Sequence, residues 1–379
     1  MSRTMIQGRV VAGSAIFDPG VVVVENGVIT DVREGTTGDD KVDAGAMLVI
    51  PALVDLHSDG LEREAQPRPG VELDLDFAVG AFEGKVRSAG IATMYHGVAF
   101  EENRTWMRSL AMAERSYRAI EARTTVQPAV DHRVLHRLDA RDAVALDALA
   151  QRLPDRGALV SFEDHTLGQG QFRDVERLRS TMASTYPEST DLDAMIAEQI
   201  AEREAVAPQY ERSLATLSEW ALSGRIMMMG HDLVEPDQVA QFCDLGASIA
   251  EFPCTVEAAE AARERAMPII AGAPNVLLGG SHSGNVAAEA LVQLGLCDAL
   301  ASDYAPHALL AAALHLVGSG SIDLAGAVAL ITQGPARAVR LDDRGVLAPG
   351  MRGDVLIVDD GGQWPRMVAS WRAGELMVS

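Results

Sequence analysis

Pro51-Ala52-Leu53-Val54-Asp55-Leu56-His57-Ser58-Asp59 decides how this chain is read: it is an apolar run of strand length that stops abruptly at a histidine and an aspartate two residues apart. Alternate side chains of an extended segment share a face, so His57 and Asp59 can grip one metal ion from a single strand. An H-x-D tripeptide alone carries little weight, and its place at a strand terminus is what raises it. The texture recurs downstream. Apolar runs predict strands over residues 47–56, 91–96, 124–130, 158–163, 226–230, 247–252, 268–273 and 299–303, separated by segments of helical period. Eight strands alternating with helices make an α/β fold, and eight is the number that closes a (β/α)8 TIM barrel.

A barrel takes roughly 250 residues, so a chain of 379 leaves room for a companion domain. Hairpin texture marks both ends, as in Gly20-Val21-Val22-Val23-Val24-Glu25-Asn26-Gly27-Val28-Ile29 and Gly353-Asp354-Val355-Leu356-Ile357-Val358-Asp359. Residues 1–50 and 342–379 are therefore expected to form one small β-sandwich domain beside a barrel over 51–341. Residues 174–223 are too many for an ordinary βα connection and carry helical spacing at 192–202 and 214–222, which predicts a helical insertion serving as a lid or a dimer surface. A homodimer is accordingly one expectation for assembly.

With 48% hydrophobic and 23% charged residues the chain can bury a large core. It has neither an apolar run of about 18 residues nor a signal-like N-terminus, so a cytoplasmic protein without a membrane partner is expected. The formal charge of −22 opposes nucleic acid and anionic membranes. It leaves open a small anionic substrate, because a metal ion and a few arginines can reverse the potential inside one cleft. Cys243, Cys254 and Cys297 match no zinc spacing and read as reduced thiols, while Met227-Met228-Met229 reads as core filling.

A barrel gathers the C-terminal ends of its strands at one rim, and ionisable residues stand where these strands end. The terminal residues are His57-Ser58-Asp59, His96, Asp131-His132, Glu163-Asp164-His165, His231-Asp232, Glu251, Ser281-His282-Ser283 and Asp303. Imidazole and carboxylate are the ligands that a hydrolytic divalent ion needs. The candidate ligands are His57, Asp59, Asp164, His165, His231 and Asp303, for one or two ions per chain, zinc first, with manganese, iron or magnesium as alternatives. Asp164 and His165 are adjacent and cannot both point inward, so one ligates while the other orients it or binds substrate. Asp303 is the candidate catalytic base, its competing reading being a helix N-cap.

The candidate substrate-binding residues are Arg68, His132, Arg133, Glu251, Ser281, His282, Ser283 and Asn285. Arg63, Arg137 and Arg173 are further cations of the same loops. Pro67 and Pro69 stiffen the loop that carries Arg68, whose guanidinium suits phosphate oxygens. Gly279-Gly280-Ser281-His282-Ser283-Gly284-Asn285 offers hydroxyl, imidazole and backbone donors before a helix. His132 either binds a phosphate or stabilises the barrel mouth.

Taken in order, Val54-Asp55-Leu56-His57-Ser58-Asp59, Pro67-Arg68-Pro69, Asp164-His165-Thr166, Ser248-Ile249-Ala250-Glu251-Phe252-Pro253, Gly272-Ala273-Pro274-Asn275, residues 279–285 and Ser302-Asp303-Tyr304 form a pattern over nearly the whole chain. It resembles the amidohydrolase superfamily, and within it the ribose 1-methylphosphonate 5-triphosphate diphosphatase family of the carbon–phosphorus lyase pathway. The resemblance implies metal-dependent release of pyrophosphate, with Asp303 handling the proton and the arginines and the 281–285 loop binding the diphosphate. This chain departs from the pattern at Ser58, Gly60 and Arg63, and in His132-Arg133-Val134-Leu135-His136-Arg137 the second histidine is moved by one place, which turns it to the other face of a strand. Two rivals stand beside that reading. One is an amidohydrolase acting on a cyclic amide, lactone or amino-purine, favoured if Arg68 and the 281–285 loop turn away from the mouth. The other is a catalytically inactive scaffold, which would bind no metal.

Overall fold

The computed structural model describes residues 2–38, 41–68, 70–103, 108–126, 128–183, 191–281 and 283–378. Four strands open the chain: β1 (Arg3–Ala12), β2 (Ala15–Glu25), β3 (Val28–Glu34) and β4 (Val42–Pro51). The β2–β3 reversal is made by Asn26 and Gly27 at φ 52° and 84°, the paired left-handed backbone of a tight hairpin turn that Asn-Gly supplies at little cost.

The eight strands that follow are β5 (Leu53–Ser58), β6 (Ile91–Phe100), β7 (Asp131–Asp139), β8 (Ala158–Glu163), β9 (Ile226–His231), β10 (Ala247–Glu251), β11 (Ile269–Gly272) and β12 (Ala299–Ala301). Each pairs in parallel with its successor. The ring closes where Ser58 bridges Asp303: the Asp303 N–H donates to the His57 carbonyl at 2.9 Å and the Asp59 N–H to the Asp303 carbonyl at 2.6 Å. The bore is a packed core, as such a barrel requires, filled by Val54, Leu56, Tyr95, Leu135, Leu159, Met229, Ile249, Ile270 and Ala299.

The chain ends in β13 (Val355–Asp359), β14 (Arg366–Arg372) and β15 (Glu375–Val378), which join β1–β4 in one seven-stranded sheet of order β15-β14-β13-β4-β1-β2-β3. Ile6, Val22, Val49, Ile357 and Trp371 contribute to a core of its own. Between β8 and β9 lie the helices Val175–Ala183, Leu192–Ala205 and Ala207–Leu222. Among the described residues no helix is long and apolar enough to cross a membrane.

Two expectations about strands are corrected. The run 47–56 is two strands, not one: β4 ends at Pro51 and belongs to the terminal sheet, and β5 starts the barrel after Ala52, whose N–H donates to the Asp354 carbonyl. The third barrel strand is not 124–130. Thr124 closes the helix Leu110–Thr124, and the strand is β7, whose sequence Asp-His-Arg-Val-Leu-His-Arg-Leu-Asp hides its period because its polar residues are bound on both faces. Asp131, His132 and Arg133 consequently start a strand, at the end of the barrel away from the mouth.

The displaced His136 faces outward from β7 and is buried, its Nδ1 3.0 Å from the Leu159 carbonyl and its Nε2 without a partner among the described residues. Burial pulls its pKa down from the ordinary 6.5 to about 4. The folded state thus keeps His136 neutral while the unfolded chain takes up a proton near pH 6.5. Its contribution is whole above that pH and is lost as pH falls towards about 4, to a limit of roughly 3 kcal/mol. His136→Leu is expected to flatten the fall in urea midpoint between pH 6.5 and 4, and an unchanged slope would contradict the assignment.

Candidate metal centre

The alternation that fills the bore also builds the site. Two residues past the inward-facing Leu135, Met229, Ile249 and Ala301 come Arg137, His231, Glu251 and Asp303, while Ser161 and Glu163 follow Leu159 at two and four. Two residues past Tyr95 comes Gly97, where an added Cβ would stand 2.6 Å from Asp59 Oδ1 and 3.0 Å from Arg137 Cδ, so the missing side chain is what gives those two groups room. On β5 regular alternation from Val54 and Leu56 would turn His57 out. A register irregularity between Asp55 and Ser58 turns it in.

Glu251 organises the centre. Wholly buried, it holds His57 Nδ1 at 2.7 Å with one oxygen and His231 Nδ1 at 2.7 Å with the other, and it also accepts from the Ser161 hydroxyl. Phe252 packs on both rings, with centroids 5.1 Å and 5.5 Å away. Both imidazoles therefore present Nε2 to the cavity, the carboxylate–histidine arrangement that orients metal ligands. The expected substrate contact of Glu251 is corrected by this geometry: both its oxygens are engaged and none of it is exposed.

Burial alone would lower the pKa of His57, but Glu251 and Asp59 outweigh it and raise it to about 10. His231 is raised likewise, Asp232, Glu163 and Glu251 overcoming its burial. The imidazoles of the metal-free protein thus carry protons that a divalent ion would displace, so cation affinity falls as pH falls.

His57, Asp59 and Asp303 form one grouping whose ligand atoms all lie within 4.8 Å of one another; His165, His231 and Asp232 form a second, and His57, His231 and Glu251 a third. Asp59 Oδ1 is 3.5 Å from His57 Nε2. Burial and the nearby Asp59 carboxylate raise the pKa of Asp303. Asp303 caps no helix, since the next one, Ala308–Gly318, starts behind His307. Asp232, the first residue beyond β9, and Asp303, the second beyond β12, both have a left-handed backbone at φ 55°, a costly conformation for a non-glycine residue that is frequent at working sites. His165 Nε2 is buried without a hydrogen-bond partner among the described residues, a deficit that a bound cation would remove, and Asp232 Oδ2 lies 3.3 Å from His231 Nε2. These donors fit a divalent ion.

Other expected residues stand elsewhere. Asp164 follows the inward Glu163 and faces away, bound by Arg141 Nε at 2.8 Å, Arg203 Nη2 at 3.1 Å and the Thr166 hydroxyl at 2.6 Å. It ties the helix Leu192–Ala205 to the rim instead of joining the cation groupings. His132 is buried behind the barrel wall, 2.8 Å from both Glu83 and His96, and Arg133 pairs with Asp131 at 3.2 Å. Neither reaches the cavity, because their strand begins where it was expected to end. Arg68 is exposed and off the cavity wall, while His282 lies outside the described residues.

The cavity has a volume of about 450 Å³ and is walled by these acids and imidazoles together with Arg63, Arg108, Arg137, Ser281, Ser283 and Asn285. Arg63 lies over the Tyr304 ring at 4.5 Å, and Arg108 joins Glu62 at 2.7 Å to Glu101 at 2.7 Å. Arg108 was not singled out from sequence, and Asp232 was named beside His231 at a strand end but not among the candidate ligands. Asp232 was legible as the residue after His231 at a strand end, whereas no local signal marks Arg108.

The model of the amidohydrolase family matches residues 145–376. A full-length relative agrees: the alpha-D-ribose 1-methylphosphonate 5-triphosphate diphosphatase of Escherichia coli (strain K12) is 33% identical over 384 residues, 98% of each chain. The chain belongs to the amidohydrolase family. Among solved structures this amidohydrolase is similar to N-acetyl-D-glucosamine-6-phosphate deacetylase from Mycobacterium smegmatis, with a TM-score of 0.62 and 17% identity over 99% of this chain and all of that one. It is also similar to guanine deaminase from C. acetobutylicum, with a TM-score of 0.60 and 11% identity over 99% and 100%. Those two likenesses concern the fold. The family makes this protein a hydrolase.

Proposed function

We propose that this amidohydrolase releases pyrophosphate from alpha-D-ribose 1-methylphosphonate 5-triphosphate, or a closely similar 5-triphosphate, in phosphonate catabolism. The observation that carries the reading is one cavity wall on which acids and imidazoles stand beside three arginines and two serine hydroxyls. The full-length likeness to a diphosphatase supports the same substrate class. His57, Asp59 and Asp303 would hold one divalent ion and His165, His231 and Asp232 a second, and zinc suits such nitrogen and oxygen donors. A bound ion supplies Lewis acidity, stabilising charge that develops on phosphoryl oxygens.

In this reading the side chains divide the remaining work. Asp303 Oδ accepts the proton of the water that attacks the phosphorus nearest the sugar, its raised pKa bringing it nearer neutrality as a base should be. The bond from that phosphorus to the bridging oxygen breaks and diphosphate departs. Arg63, with the hydroxyls of Ser281 and Ser283 and the side-chain NH2 of Asn285, binds the departing group. Phe172, Phe252 and Pro253 give the same cavity an apolar stretch of wall.

One observation favours the reading in which a cyclic amide or other carbon electrophile is cleaved: Arg68 stands off the cavity. A panel of sugar and nucleoside 5-triphosphates and cyclic amides, offered to zinc-loaded protein, separates the two. Pyrophosphate formed from the ribose 5-triphosphate, with no ring opening of the amides, is the expected result. Ring opening without pyrophosphate would overturn it.

A further inference from the structure

Arg137 is the inward-facing cation at the mouth end of β7, and its surroundings give it a task beyond meeting a phosphate. Its Nε and Nη2 donate to the two oxygens of Glu163 at 2.7 Å and 3.1 Å, and its Nη1 donates to Asp59 Oδ1 at 2.6 Å. All three side chains are buried or nearly so, and the three residues come from β5, β7 and β8 or their ends. A planar guanidinium can meet one carboxylate in two-pronged fashion and still reach a second, which an ammonium cannot. Glu163 stands 3.8 Å from His165 Nε2, which has no hydrogen-bond partner among the described residues, close enough to join that cation grouping if it were free, yet both its oxygens are taken.

We infer that Arg137 is a positioning residue that occupies the place of a cation between Glu163 and Asp59, withholding Glu163 from any bound ion while presenting Asp59 to it. Gly97 is part of the device, since any side chain there would collide with both Arg137 and Asp59. Arg137 thereby limits how many carboxylates compete for metal at the mouth. The inference rests on reading the acids and imidazoles as a cation site, and the experiment separates failure of the one from failure of the other.

The parent, Arg137→Met and Glu163→Gln proteins are stripped with chelator, reloaded with zinc, dialysed, and measured for zinc per chain by mass spectrometry, with a thermal melt of each. The parent is expected to hold zinc, and Glu163→Gln to hold as much as the parent, because Glu163 contributes no ligand. Arg137→Met is expected to retain more zinc per chain after dialysis, since Glu163, once released, adds a ligand to those of His165, His231 and Asp232, and its zinc-free form should melt lower than the parent's. Should Arg137→Met fail to fold, Glu163→Gln alone decides. Loss of zinc in Glu163→Gln, or unchanged zinc in a folded Arg137→Met, overturns the role given to Arg137 and leaves the cation site standing. A parent that holds no zinc overturns both.

Discussion

Asp303→Asn is expected to fold as the parent does and to lose at least two orders of magnitude in turnover. The barrel closure that Asp303 provides runs through its backbone, by the N–H to the His57 carbonyl and the carbonyl to the Asp59 N–H, and the substitution keeps both. It also removes a carboxylate charge from beside Asp59, so no stability is lost on that account. What disappears is the capacity to take a proton, which in positioned general bases contributes about 100- to 10,000-fold. Turnover at saturating substrate and the melting temperature are the readouts. A rate near the parent's with the fold intact would reject the base assigned.

Glu251→Gln carries the second large effect, on cation retention. A carboxylate serves His57 and His231 symmetrically, one oxygen to each Nδ1. An amide can accept at only one end, and its NH2 opposes the Nδ1–H of the other imidazole, so one ring must turn or change tautomer. Loss of such a supporting carboxylate typically costs about 10- to 100-fold in metal affinity or activity. Zinc affinity, measured by competition with a chromophoric chelator, is therefore expected to fall by that factor. Affinity equal to the parent's would show that Glu251 does not orient these histidines.

Much of this was legible in the chain because barrel geometry translates sequence period into position. Seven of the eight barrel strands, and the gathering of His57, Asp59, His165, His231 and Asp303 at one mouth, follow from apolar runs that end in ionisable residues. The exception, β7, shows where the rule stops. Its outward His132 and His136 and its inward Arg137 are buried, so a strand of the barrel wall looked polar while the β-branched end of a helix, Thr124-Thr125-Val126, looked like a strand. That single misplacement moved His132 and Arg133 to the mouth in expectation and to the opposite end in fact. Asp164 was misassigned because neighbours on a strand face opposite ways, and Glu163 already held the inward place. The inward turn of His57 depends on a bulge, and the approach of Arg108 to Asp59 depends on a loop path, neither of which a local pattern encodes.

Crystals soaked in manganese and measured for anomalous scattering test most directly whether these dispersed residues share a cation. The expected map has a peak bounded by His57 Nε2, Asp59 and Asp303, with any second peak beside His165, His231 and Asp232. A map with no peak among these side chains, at full occupancy of manganese elsewhere in the crystal, would contradict the metal centre and the hydrolytic chemistry built on it.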